Sequence, residues 1–278
     1  MTSSKFGKSL VACLLNVSEA RNKDNIERIA RAALFNIRGQ KHPDTAVLNV
    51  FSNYDYNRSV LTIVSTSEWI GIAEELVTQV PGCSMFLFGY ADIAEMRSLA
   101  DKRRSLGWFR KNCNVDEIKA DVGMKPCGKY GITGVGASPY VMNCNITLDT
   151  QDLTSGKAIA TAIRERTGGL KGVQAMAFPN KGQVEIACNV ESFRDIPENI
   201  SAADVDKYVS YHICGDTFSY ISLHHIEAKV QNLAACKGIK TTGTALVGFT
   251  PQECRVTAEY AISHGIGEFW KRRQGVFM

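Results

Sequence analysis

Two hydrophobic periods alternate along this chain, and each change of period marks an element. Residues 9–17 (SLVACLLNV) are continuously apolar and read as a strand. From Asn22 to Phe35 the period lengthens, and Ile26, Ile29, Ala30, Ala33 and Leu34 fall on one helical stripe, with Ser18 and Asn22 as capping candidates. Ala46 to Phe51 and Ser59 to Ser65 read as strands joined by the turn-forming SNYDYNR. A helix is expected from about Trp69 to Thr78, stopped by Pro81-Gly82, then a buried strand from Cys83 to Phe88 and a basic helix from Ile93 to Leu106. The same grammar then recurs. Tyr140 to Leu148 is a strand, and Thr154 to Arg166 a helix burying Ala158, Ile159, Ala162 and Ile163, stopped by Gly168-Gly169. Val173 to Phe178 and Val184 to Val190 form a hairpin across PNKG. Leu223, Ile226, Val230 and Leu233 share the face of a helix ended by Gly238. Ala245 to Val247 is a strand, and Pro251 opens the last helix.

Two β-α-β-β-α-β units in tandem predict an α+β fold. We expect two ferredoxin-like subdomains, 1–137 and 138–278, each an open sheet with helices on one face and a ligand cleft between them. Composition agrees with a globular chain: 45% of the 278 residues are hydrophobic and 22% charged. The net charge of +4 is too mild to demand nucleic acid but suits an anionic small molecule. No apolar run has the length of a membrane span. The short run Leu10 to Val17, broken by Asn16, reads as the first strand and not as a signal peptide. Nine scattered cysteines without a C-x-x-C pair point to reduced thiols in a cytoplasmic protein, with neither a disulfide frame nor a metal site.

Candidate chemistry gathers in a few places. In GITGVGASPYVMNCNITLD a glycine-rich bend (Gly131, Gly134, Gly136, Ala137) runs into a strand carrying Asn143 and Asn145. Without Cβ atoms such a bend lets backbone approach a flat ligand, although a tight inter-domain turn has the same composition. Asn57 and Arg58 lie at a hairpin mouth, where a guanidinium can grip a carboxylate or pair with Asp55. Ser18, Glu19 and Arg21 sit at a strand-to-helix junction and serve as caps or as ligand contacts. The basic helix, with Arg97, Lys102, Arg103, Arg104, Arg110, Lys111 and the interleaved Trp108 and Phe109, reads as a solvated face, a nucleic-acid surface or a landing strip for polyglutamate. The five histidines (His42, His212, His224, His225, His264) lack a catalytic setting. His224 and His225 are adjacent on a helix and point about 100° apart, so they do not grip one metal.

Together the segments LLNVSEARN, DYNRSVLT, VPGCSMFLFG, GVGASPYVMNCNITLD, GLKGVQAMAFP and VEIACNVESF resemble the glutamate formiminotransferases that use tetrahydrofolate. They occur in family order over most of residues 9–193, and proteins containing the formiminotransferase N-terminal subdomain are the nearest resemblance. Residues from about Tyr220 to Ile262 match the C-terminal subdomain more loosely. The resemblance implies histidine catabolism and one-carbon metabolism, with tetrahydrofolate as co-substrate and no metal. It implies folate contacts from Gly123, Gly128, Gly131, Gly134, Gly136, Asn143 and Asn145. Substrate contacts would come from Asn57, Arg58, Ser18 and Glu19, with Arg58 holding a carboxylate. The partners implied are folate or folylpolyglutamate, a glutamate-type small molecule and a second copy of the chain as a homodimer, with neither nucleic acid nor membrane.

Two departures matter. Where the family often has a basic residue after Gly-Ala, this chain has Ser138-Pro139. The family's His-x-Gly-x-His-Pro-Arg motif belongs between the hairpin and the CSMFLF strand, and here SVLTIVSTSEWIG runs straight into IAEELVTQVPG, as if shortened near 66–80. His42-Pro43 precedes the hairpin, so chain order forbids giving it that role. No catalytic residue is therefore assigned. The resemblance implies a folate-binding protein, a pseudoenzyme candidate with weak or absent formimino transfer. The alternatives are a non-catalytic interaction or regulatory protein on the same scaffold, and a spliced or mispredicted version of an active enzyme.

Overall fold

The computed structural model describes residues 10–36, 38–55, 57–66, 82–107, 117–128, 131–194, 207–213 and 215–272. The helix expected from Trp69 to Thr78 with its Pro81 stop, the end of the basic segment at Trp108 to Lys111, and the tail beyond Arg272 lie outside them. The chain is a mixed α+β protein that divides into two compact units, Met1–Ser67 with Pro139–Met278, and Glu68–Ser138. The described residues hold four open sheets and five α-helices.

In the larger unit, β1 (Val11–Val17), β2 (Thr45–Asn53) and β3 (Arg58–Ser65) form the first sheet in the order β1-β3-β2, antiparallel throughout. A register shift between Val47 and Asn49 marks a bulge in β2. Both faces are covered. Helix α1 (Lys23–Ala32) sets Ile26 and Ala30 on Val47, Leu61 and Ile63. On the other face Ala46, Leu48 and Val64 meet Cys254, Ala258 and Ala261 of the last helix, α5 (Pro251–Ser263). Asn22, not Ser18, caps α1, accepting from the Asn25 N–H at 3.0 Å. Helix α5 opens as expected, with Pro251 in the first turn and a reciprocal Thr250–Glu253 capping box.

The third sheet carries the second β-α-β-β-α-β run. Its strands are β7 (Val141–Leu148), β8 (Val173–Asn180), β9 (Gln183–Glu191) and β13 (Thr241–Leu246), antiparallel in the order β13-β7-β9-β8. The β8–β9 turn has Lys181 and Gly182 both at positive φ, 47° and 78°, the backbone of a two-residue hairpin. Helices α3 (Leu153–Ile163) and α4 (Leu223–Ala235) bury one sheet face through Ile159, Ala160, Ile163, Ile226, Val230 and Ala234. The buried stripe of α3 is Gly156, Ile159, Ala160 and Ile163, while Ala158 and Ala162 face solvent. An added Cβ at Gly156 would lie 2.4 Å from Val184 Cγ1, so a residue without a side chain brings this helix onto the sheet.

A fourth sheet was not foreseen. It consists of β10 (Phe193–Arg194), β11 (Tyr208–Ile213) and β12 (Asp216–Ile221) in the order β10-β12-β11, and Tyr220 and Ile221 feed the core of the third.

In the smaller unit, β4 (Ser84–Gly89) pairs antiparallel with β5 (Val122–Gly123) and parallel with β6 (Thr133–Ala137), making the second sheet. The basic helix is shorter than expected: α2 spans Leu99–Ser105, capped by Ser98. Upstream, the Asp92 carboxylate accepts from the Arg97 N–H and Nε, and Met96 has φ 50°, so residues 91–97 fold as turns. No helix among the described residues is long and apolar enough to cross a membrane.

Candidate functional site

The junction from β1 into α1 builds the first half of the site. Asn57, in the β2–β3 turn, sits at φ 46°, a conformation asparagine tolerates better than most residues. Its Oδ1 accepts from the Ala20 N–H at 3.0 Å, and the Ser59 hydroxyl donates to the Glu19 carbonyl at 2.6 Å. The hairpin thus clamps the loop before the helix. The Glu19 carboxylate folds back to accept from the Arg21 and Asn22 N–H groups at 2.8 and 3.1 Å, and these bonds hold it below the usual carboxylate range. Around this clamp Glu19, Arg21, Asn22, Lys23, Asp24 and Asn57 line an open depression of about 640 Å³.

Glu19 and Asn57 are thus brought together, with Asn57 supporting the loop through its side chain. Ser18 is exposed on the bend after β1. Arg58 begins β3 with its side chain exposed, and it forms no ion pair with Asp55 or any other described residue. Pairing with a local aspartate, one of the two readings of the sequence, is not what the structure contains.

Asn143 and Asn145 stand on β7 among alternating residues. Met142, Cys144, Ile146 and Leu148 point into the helix-covered core, and Asn143, Asn145 and Thr147 are half-buried on the opposite face. Strand β9 adds Glu185, Ala187 and Asn189 to that face by register, and β8 adds Gln174, the exposed Met176, Phe178 and Asn180. The result is a sheet surface rich in carboxamides. Within it Glu185, 1% exposed, accepts from Asn145 Nδ2 and from Asn180 Nδ2, the latter at 2.7 Å. Burial pushes the Glu185 carboxyl up, against the opposing pull of these two bonds and of Lys181. Sequence reading missed Glu185 and Asn180. The available signal was a lone acid in VEIACNV, next to the PNKG turn.

The glycines fall in the smaller unit and the asparagines in the larger one. Gly134 and Gly136 lie within β6 opposite Phe86 and Phe88, and added Cβ atoms would come within 2.6 and 2.4 Å of those rings. The close approach they permit is to aromatic side chains of their own sheet. Gly131, at φ 65°, donates to the Cys127 carbonyl at 2.8 Å, Gly123 has φ 91°, and open space surrounds Gly128 and Gly131. Three cations of the basic segment are paired with acids: Arg97 with Asp92 at 2.8 Å, Lys102 with Asp121 at 2.7 Å and Arg104 with Asp101 at 2.7 Å. Among the described residues no group of three or more His, Cys, Asp or Glu side chains is placed to hold a metal ion.

Residues 10–73 match the family described as formiminotransferase domain, N-terminal subdomain. A glutamate formimidoyltransferase of Thermoplasma acidophilum is 26% identical over 245 residues, covering 68% of this chain and 79% of that protein. A formiminotransferase cyclodeaminase-like protein of Arabidopsis thaliana is 28% identical over 204 residues, covering 67% of each. The chain thus carries a formiminotransferase N-terminal subdomain and is a distant homologue of glutamate formimidoyltransferase.

Proposed function

We propose that this chain is a folate-binding protein of the tetrahydrofolate-dependent formiminotransferase type, built from two ferredoxin-like subdomains, in which ligand binding persists and turnover is impaired. The observation that carries this reading is the amide-rich face of the third sheet. Asn143 and Asn145 stand half-exposed on the face that α3 and α4 leave uncovered, within the segment GVGASPYVMNCNITLD that resembles the family's folate segment. The exposed Arg58 guanidinium, without a carboxylate partner among the described residues, supports a role in holding a glutamate-type carboxylate.

Formimino transfer needs little from the protein beyond positioning and one proton acceptor. The folate N5 attacks the amidine-like carbon of N-formiminoglutamate, a base takes the N5 proton, and glutamate leaves from the tetrahedral intermediate. No histidine lies between His42 and His212 in this chain. A positioned general base contributes about 10²–10⁴ in rate, so its loss cripples turnover while the contacts that hold the ligand persist.

The test is a calorimetric titration with tetrahydrofolate beside an assay of N-formiminoglutamate consumption. Saturable binding with turnover depressed about 10²–10⁴-fold, relative to an enzyme that has the histidine motif, is expected. Absence of binding at millimolar ligand removes the reading. Arg58→Ala is expected to weaken glutamate-type ligands by about 1.5–3 kcal/mol, the worth of a charge-assisted contact. Unchanged affinity makes Arg58 an ordinary surface residue.

A further inference from the structure

Two of the nine cysteines stand face to face beneath the third sheet. Cys144 on β7 and Cys188 on β9 are direct partners by register, 0% and 2% exposed, in the core that α3 and α4 cover. A solitary thiol in a core packs as a small apolar group, but two directly opposed sulfurs can also bond. Neighbouring hydrogen bonds fix their backbone relation. The Val247 N–H donates to the Asn143 carbonyl on the β13 side, and the Ser192 N–H to the Tyr140 carbonyl on the β9 side. Even-numbered positions of β7 therefore turn their backbone groups towards β9, and Cys144 and Cys188 are a hydrogen-bonded pair. Such partners have Cα atoms about 5.5 Å apart, inside the roughly 4.4–6.8 Å span of disulfides. A hydrogen bond with Cys144, together with burial, pushes the Cys188 thiol well up, so the resting form of the pair is the dithiol.

We propose that Cys144 and Cys188 are a redox pair that closes to a cross-strand disulfide under a peroxide, reopens with a thiol reductant, and moves the opposite face of the sheet as it does so. One thiol loses its proton, and its sulfur attacks a peroxide oxygen. The O–O bond breaks, leaving a sulfenic acid and a hydroxide that takes up the proton as water. The second sulfur then displaces the sulfenic hydroxyl, the S–S bond forms, and the hydroxide leaves with the second thiol proton as another water. Two electrons pass from the pair to the peroxide. Dithiothreitol reverses the closure by exchange and becomes the cyclic disulfide itself. The bond needs Cβ atoms about 3.8 Å apart, whereas directly opposed residues hold them about 4.5–5.5 Å apart. Closure therefore draws β7 and β9 together at this point. Asn143 and Asn145 flank Cys144, and Ala187 and Asn189 flank Cys188, all on the uncovered face, so the movement reaches them through the backbone. This holds whatever ligand that face takes.

The experiment treats the full chain with hydrogen peroxide, blocks the remaining thiols in denaturant, and weighs the tryptic peptides before and after dithiothreitol. The Cys144 peptide joined to the Cys188 peptide, about 2 Da below the sum of the two, is the expected product. It should appear after the exposed Cys236 has reacted and vanish with reductant. In nuclear magnetic resonance spectra the side-chain NH₂ signals of Asn143 and Asn145 should shift on oxidation and return on reduction, with Asn25 of α1 as the unmoved reference. Cys188→Ala should abolish both the link and the shift. Should that variant fail to fold, the unaltered protein decides alone. A pair still unlinked when Cys236 is fully oxidised overturns the proposal, and so does Cys144 joined equally to other cysteines. A link formed with no shift at Asn143 and Asn145 overturns the movement of the opposite face.

Discussion

Asn57 offers the sharpest test of how the β1–α1 junction is held. Its side chain accepts from the N–H of Ala20, a residue 1% exposed, and its own backbone sits at φ 46°. Truncation to alanine removes the acceptor and leaves a buried donor unpaired, at a cost of about 1–3 kcal/mol. An alanine Cβ in the left-handed region adds about 1 kcal/mol. Asn57→Ala should therefore destabilise the protein by about 2–4 kcal/mol. Asn57→Gly separates the two causes, because glycine accepts the backbone but restores no bond, so about 1–3 kcal/mol should remain. Asn57→Asp keeps an acceptor in place and should stay within about 1 kcal/mol of the parent. Urea denaturation followed by tryptophan fluorescence suits the question, since Trp270 packs against the α1 face of the first sheet. An alanine variant within 0.5 kcal/mol of the parent, on the order of ordinary surface substitutions, would refute the clamp, as would an aspartate variant as unstable as the alanine one.

Other expectations follow from the same geometry. Gly136→Ala drives a Cβ into the Phe88 ring and should destabilise the smaller unit by about 1–3 kcal/mol, read as faster amide exchange across residues 84–89. Gly128→Ala, with open space around it, should be neutral or stabilising by up to about 1 kcal/mol, and a loss of more than about 1 kcal/mol would contradict that open space. Glu185 has a pH signature. Burial raises its native value, so the folded protein holds this proton more tightly than the unfolded chain. Its contribution is fully present below the ordinary value of 4.5 and is lost as pH rises through the raised native value. Thermal midpoints of the parent should fall relative to Glu185→Gln across that window, and parallel profiles would contradict the assignment.

Much of the fold was legible because its elements announce themselves by period. Helix α1 has a full apolar stripe, β7 alternates cleanly, and the PNKG turn supplies the positive φ angles its hairpin needs. The elements that escaped lack that signal. Strand β6 reads TGVGA, and its pattern is invisible because the packing side chains are Phe86 and Phe88 of its neighbour. Helix α3 buries Gly156 and Ala160, not Ala158 and Ala162, because its close approach to the sheet is made at a glycine that an apolar stripe does not mark. The start of α2 is set by its Ser98 cap, and the Asp92–Arg97 contacts hold the residues before it as turns. Residue types marked Asn145 and Arg58 as candidates. The link from Asn145 to Glu185 depends on cross-strand register, which the sequence does not display.

The most direct measurement is a crystal structure of the protein with 5-formyltetrahydrofolate. Density for the pterin against the Asn143 and Asn145 face of the third sheet is the predicted result. A ligand bound elsewhere, or that face covered by the protein's own side chains, would contradict the account.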